Sequence, residues 1–357
     1  MAESDTAGHS STNPWPRKLG WIALWLVTLT TIGWDVLLLL LLPGLAWLGV
    51  VLALLLAVGV PVALVRIRPK RLAMQVTAGV LALPLLYWLV LRPSNDRDWQ
   101  PDVAVLPYAV LDGEQVTIHS IRNCDYRAAD DFDVRYYDRT FALGDLESID
   151  MFLVDWGLRK VAHTMLSFGF GDGQFVCISI ETRKEKGEAY SATKGLFRNY
   201  ELIYVVGDER DLVRLRTNYR EAEDVRMYRL KPASDQVTRD VFLDFMARIS
   251  SLREHPQWYN ALTSNCMTSA FCHFRRHAPK ARFHWKLILN GYADELLYRD
   301  GGVDTSLPFD ELRERSLIND QARAAGASPD FSRLIRVGLP GVEEPANRAA
   351  PAPKGTQ

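Results

Sequence analysis

Two long apolar runs open the chain, and short alternations of apolar and polar positions follow them. The runs cover residues 19–65 and 72–91. One membrane-crossing helix needs about 20 apolar residues, so the first run has room for two helices and the second for one. Pro43-Gly44 interrupts the first run, which places the predicted spans at 21–42, 45–65 and 72–91. A cleaved leader carries an apolar core of only about 7–15 residues. The pattern therefore predicts a permanent three-helix anchor over 19–92, after a polar tail at 1–18.

Residues 93–106 are polar and rich in proline and aspartate, and read as a linker to a soluble domain at 107–339. Its pattern predicts strands at 114–122, 134–141, 146–154, 160–170, 174–183, 202–207 and 225–230. Helices are predicted at 209–218, 236–253, 266–277 and 285–298. Short strands in sequence, separated by Asp-, Asn- and Gly-rich turns and followed by helices, indicate an α+β domain with an antiparallel sheet. The tail at 340–357, rich in proline and alanine, is expected to be disordered.

The clearest hairpin turns at Gly171-Asp172-Gly173. A three-residue connection pairs Phe170 with Gln174 and sets Glu181 opposite His163; a two-residue connection sets Thr182 there instead. Alternation groups Val161, His163, Met165 and Ser167 on one face, and Ala162, Thr164, Leu166 and Phe168 on the more apolar other face. The histidine face is therefore expected to border a cleft.

Charge adds an orientation. Arg17 and Lys18 precede the first span, and Arg66, Arg68, Lys70 and Arg71 separate the second from the third. The positive-inside bias then puts the N-terminus in the cytoplasm and everything beyond Arg92 outside. Asp35 lies within apolar sequence, where snorkelling or pairing is the expected outcome. Over the whole chain 42 basic residues face 43 acidic ones, which argues against nucleic acid as a partner.

Four cysteines, Cys124, Cys177, Cys266 and Cys272, form no CxxC. Cys124 and Cys177 can pair in an oxidising compartment, but spacing does not decide it. His273 and His277 have zinc-ligand spacing without an HExxH glutamate or a third ligand, so no metal or other cofactor is assigned. Cys266 is the chemically pointed one. The run Thr263-Ser264-Asn265 delivers it to a helix start, where unpaired N–H groups favour a thiolate and Asn265 positions it beside an oxyanion hole. His163 is the candidate base, with Glu181, Ser179 or Thr182 as the third residue. The mixed-charge segment from Glu181 to Glu188 offers Arg183 and Lys184 as head-group contacts, and Tyr259 lies near the thiol in sequence. Papain-like enzymes run cysteine first and histidine later; the order is reversed here, as in circularly permuted relatives.

Several strings then become recognisable: Ala162-His163-Thr164, Ile180-Glu181-Thr182-Arg183-Lys184-Glu185-Lys186-Gly187-Glu188, Tyr200-Glu201-Leu202-Ile203-Tyr204, Arg214-Leu215-Arg216-Thr217-Asn218-Tyr219-Arg220 and Trp258-Tyr259-Asn260-Ala261-Leu262-Thr263-Ser264-Asn265-Cys266. Together they resemble the Lnb N-terminal periplasmic domain family over roughly residues 94–300. That family includes bacterial lipoprotein N-acyltransferases and is similar to permuted NlpC-type thiol folds. The resemblance implies a periplasmic permuted papain-like domain on an inner-membrane anchor, with Cys266 as nucleophile and His163 as base. It also implies a phospholipid acyl donor and a lipoprotein N-terminus as acceptor. A thiol hydrolase acting on peptidoglycan and a non-catalytic envelope binding protein are the alternatives. The family pattern expects Asn-Cys-Thr-Thr where this chain has Asn265-Cys266-Met267-Thr268.

Overall fold

The computed structural model describes residues 15–41, 46–157, 160–278, 282–288 and 290–342. The N-terminal tail before Trp15, the break at Pro43-Gly44 and the proline-rich tail beyond Val342 lie outside the described residues. Chain contacts separate two units, one ending at Arg92 and one beginning at Pro93.

In the first unit the apolar runs form α1 (Trp15–Leu40), α2 (Ala46–Arg66) and α3 (Lys70–Val90). By length and composition all three are able to cross a membrane, with mean hydropathies of 1.9, 2.8 and 1.7 over the candidate spans. Ile32 and Leu39 of α1 pack with Ala53, Leu56 and Val60 of α2 and Leu81 of α3. Asp35 departs from expectation. It neither snorkels nor pairs: the side chain is fully buried, and neither carboxylate oxygen has a hydrogen-bond partner.

The second unit is built on one large sheet. Its strands are β1 (Tyr108–Asp112), β2 (Gln115–Arg122), β5 (Tyr136–Ala142), β6 (Leu146–Asp155), β7 (Ala162–Phe170), β8 (Gln174–Arg183), β9 (Glu201–Gly207) and β10 (Asp224–Arg229), in the order β1-β2-β9-β8-β7-β6-β10 with β5 also on β2. The short strands β3 (Asp125–Tyr126) and β4 (Phe132–Asp133) pair separately. Pairing is antiparallel except for one β2–β9 contact, Arg122 with Gly207.

Alternation along the central strands sends apolar side chains to both faces, and both are covered. One face packs Leu166, Phe168, Ile178 and Tyr204 against α5 (Asp235–Glu254) and α6 (Cys266–His277). Val241, Phe245, Ile249 and Leu252 supply the buried stripe of α5. The opposite face packs Met165, Cys177 and Val205 against α4 (Glu209–Asn218) and against residues around α9 (Asn319–Ala325) and α10 (Phe331–Leu334). The histidine face of β7 is thus no open cleft: Met165 and Ser167 are buried, because α4 and the C-terminal helices, the latter unforeseen in the pattern, cover it.

The expected helix at 285–298 is also broken. Residues Trp285–Leu287 and Asn290–Tyr292 form single 3-10 turns, and only α7 (Ala293–Arg299) is α-helical, followed by α8 (Phe309–Arg315). Asn290 is drawn out of helical register by bonds to β7 and α6.

Phe245 is fully buried, with its ring 3.9 Å from that of His273 and 5.7 Å from that of Phe168. Phe245→Ala is expected to destabilise the domain by about 3–5 kcal/mol, read by chemical denaturation in detergent. Val110→Thr on the exposed edge strand changes the midpoint little.

Candidate active site

Cys266 opens α6 because Asn265 stops the backbone from entering the helix one residue earlier. The Asn265 Oδ1 accepts from the N–H groups of Met267 (3.0 Å) and Thr268 (2.9 Å), while Thr268 Oγ1 accepts from the Asn265 N–H at 3.0 Å. This reciprocal cap is the strongest local N-terminus signal. Thr268 supplies it, so Met267 in place of the family threonine leaves the cap intact, and Met267 packs into the core. The remaining polar atom of Asn265, Nδ2, donates to Ala261 O at 2.9 Å. Asn265 therefore positions the thiol, and its own side chain is engaged by the cap and by Ala261 and not by the thiol.

The donor at the sulfur is Asn290, which the sequence reading missed. Its Nδ2 donates to Cys266 Sγ at 3.4 Å and its Oδ1 accepts from the Ala162 N–H at 2.9 Å. The Thr164 N–H also faces the thiol and favours its ionised form, as does the Met267 N–H, which donates to Asn265 Oδ1. These contacts exist because β7 and β8 pair only from Met165–Ser179 to Phe170–Gln174, whereas β6 accompanies β7 as far as Ala162. Past Met165 the strands part, and the freed N–H groups of Ala162 and Thr164 serve Asn290 and Cys266.

The hairpin adopts the three-residue connection. Phe170 pairs with Gln174, and Asp172 and Gly173 take φ of 62° and 69°, which a glycine and an aspartate tolerate. In that register Ser179 and Glu181 share the face of His163. His163 Nε2 lies 2.7 Å from Ser179 Oγ, which donates to Glu181 Oε1 at 2.6 Å. A hydroxyl has one proton, and the carboxylate takes it, so Ser179 accepts from His163. The imidazole is the Nε2–H tautomer with its lone pair on Nδ1. Thr182 points to the opposite side, which removes it from the candidate third residues.

Arg216 of α4, a second residue the pattern missed, donates to Glu181 Oε1 at 3.1 Å. Burial opposes ionisation of Glu181, but Arg216, His163 and the Ser179 hydroxyl outweigh it and hold the carboxyl well below its usual range. Burial, reinforced by Arg216 and opposed by Glu181, lowers His163 to about 3. Burial also pushes the Cys266 thiol up, and the donors from Thr164, Asn290 and Met267 offset this only in part. The thiolate expected at a helix start is therefore not the resting state: desolvation outweighs the terminus. Among the described residues no hydrogen bond joins His163 to Cys266.

Tyr259 is buried beside the thiol, its hydroxyl bonded to Tyr190, and the charges of Cys266 and Glu181 add to the burial that raises it. Lys184 is half-buried at the end of β8. Arg183 departs from expectation. It is 2% exposed, donates to Val103 O, Ala104 O and Asn95 Oδ1, and stacks on Trp99 at 4.2 Å, so it clamps the start of the domain instead of facing a ligand. Both nitrogens of His273 are taken, Nδ1 by Asp244 at 2.7 Å and Nε2 by Tyr204 at 3.0 Å. All four cysteines are free thiols.

Nitrogen-15 spectra of His163 should show the Nε2–H tautomer without titration between about pH 5 and pH 8. Ser179→Ala should remove the tautomer bias. Because the folded value lies below the free value of 6.5, the unfolded chain binds the proton first on acidification. The contribution of His163 to stability is complete above that value and is lost as pH falls toward 3.

No curated protein and no solved structure matches the chain. Residues 132–293 match the family model described as the Lnb N-terminal periplasmic domain, a span that holds His163, Ser179, Glu181, Arg216, Cys266 and Asn290. Together with three helices able to cross a membrane, the match describes a membrane protein with a periplasmic domain. The segment from 132 to 293, with the cysteine at a helix start and the histidine on a central strand, is thus similar to the Lnb N-terminal periplasmic domain family.

Proposed function

We propose that the protein is an inner-membrane thiol acyltransferase of permuted papain-like design, with its N-terminus cytoplasmic and its catalytic domain periplasmic. The observation that carries this reading is the convergence on Cys266 Sγ of Asn290 Nδ2 and the Thr164 N–H, one residue along the chain from His163. His163 in turn is held by Ser179, Glu181 and Arg216.

In the first half-reaction the Cys266 S–H proton passes to His163 Nδ1 as Sγ attacks the carbonyl carbon of a phospholipid ester. The C–O bond to glycerol breaks, and the departing alkoxide takes the proton from the imidazolium. A thioester and a lysophospholipid result. In the second, the amine of a diacylated lipoprotein N-terminus attacks the thioester, His163 takes the amine proton, and the C–S bond breaks to give the amide. The proton returns to the thiolate. The imidazolium in each half faces Glu181 Oε1 at 3.6 Å, which favours its formation. Asn290 and the backbone N–H groups beside the sulfur are placed to stabilise the tetrahedral oxyanion. A membrane anchor raises the effective concentration of both lipid-borne reactants. Lys184 and Tyr259 are proposed as substrate contacts at the edge of the site.

The test uses the purified full chain with a defined phospholipid and a diacylated lipopeptide, with N-acyl lipopeptide quantified by mass spectrometry. Cys266→Ala should abolish transfer. Asn290→Ala should lower kcat by about 10²–10³-fold with KM nearly unchanged. Full transfer by Cys266→Ala would overturn the mechanism, and release of free fatty acid with no amide product would point to a hydrolase.

A further inference from the structure

The whole-chain charge balance conceals a local asymmetry. Residues 255–293, which carry the nucleophile and Asn290, contain five Lys and Arg residues and no Asp or Glu. The stretch leading to Asn290 is also the most apolar exposed part of this region: Phe283 is 55%, Trp285 54% and Ile288 39% exposed. Leu287 is buried and pins the stretch to the core, while the Phe283 ring meets Phe271 of α6 at 6.3 Å. Arg275 lies one helical turn beyond Phe271 on the same face of α6.

Four of the five positive charges lie among the described residues, and they divide in two. Arg276 is paired with Asp244 and Lys286 with Glu295. Arg275 and Arg282 are exposed and have no acidic partner among the described residues. Exposed aromatic and aliphatic side chains flanked by unpaired arginines are the composition of a surface that settles at the bilayer interface and prefers anionic head groups. An apolar patch alone would not choose an occupant; the unpaired arginines do.

We propose that Phe283, Trp285 and Ile288, with Arg275 and Arg282, form a docking face for an anionic phospholipid surface. The face deepens the acyl-transfer reading and rests on it: Ile288 is two residues from Asn290, so docking brings the lipid ester region to the donors at Cys266.

The full chain in nanodiscs of phosphatidylcholine, alone or mixed with phosphatidylglycerol, is followed by hydrogen exchange over residues 282–288, with β7 and β8 as the fold control. Protection is expected only in the phosphatidylglycerol discs. It should weaken with salt and fall roughly tenfold or more in Arg275→Glu/Arg282→Glu. Equal exchange in both discs and in detergent overturns the docking face, and equal protection in both discs overturns the anionic preference. Acylation of Cys266 by a water-soluble short-chain ester separates the two proposals. Acylation without docking defeats this inference alone. Docking without any acyl-enzyme supports the face and defeats the acyl-transfer reading.

Discussion

The register of the β7–β8 hairpin is the constraint on which the site depends. The connection through Gly171, Asp172 and Gly173 pairs Phe170 with Gln174, and pleating then fixes every later side chain. A slip of one residue would turn Ser179 and Glu181 away from His163 and leave the imidazole with no acceptor for Nε2–H. The same hairpin is the sheet centre on which α4 packs from one side and α5 and α6 from the other. Arg216 and Cys266 therefore approach the same pair of strands from opposite faces. The parting of the strands beyond Met165 lets backbone donors reach the sulfur.

Burial sets the chemistry of this arrangement. A helix start and several N–H donors favour a thiolate, yet the buried sulfur rests protonated because desolvation is the larger effect. The same desolvation keeps His163 neutral at neutral pH, with the lone pair of Nδ1 free of a proton. A neutral pair avoids a standing charge in a dry site. In the proposed mechanism charge separates only when an ester arrives, and the donors already in place meet it without reorganisation.

What the sequence made legible was local. The apolar runs marked the three N-terminal helices, alternation and turn chemistry marked β7 and β8, and the run Thr263-Ser264-Asn265 marked the start of α6. Of the two connections open in the sequence, the three-residue turn is the one that brings Glu181 to the face of His163. Long-range features escaped. Arg216 meets Glu181 from another element, and no spacing rule connects them. Asn290 sat inside a stretch whose apolar period imitates a helix, and the Asn290-Gly291 pair was the breaker signal that argued against it. Arg183 looked like a rim residue from its charged neighbours, but strand parity buries it against Trp99. Part of the cover over the histidine face comes from α9 and α10, short helices with too few turns to declare a period.

The central claim is that Cys266 carries the acyl group. The most direct measurement is peptide mapping of the full chain after incubation with a phospholipid bearing a mass-tagged acyl chain, with and without hydroxylamine. The account predicts one hydroxylamine-sensitive acyl adduct on the Cys266 peptide, absent in His163→Ala and in Cys266→Ala. An unmodified Cys266 peptide alongside undiminished acyl transfer to the lipopeptide would contradict it.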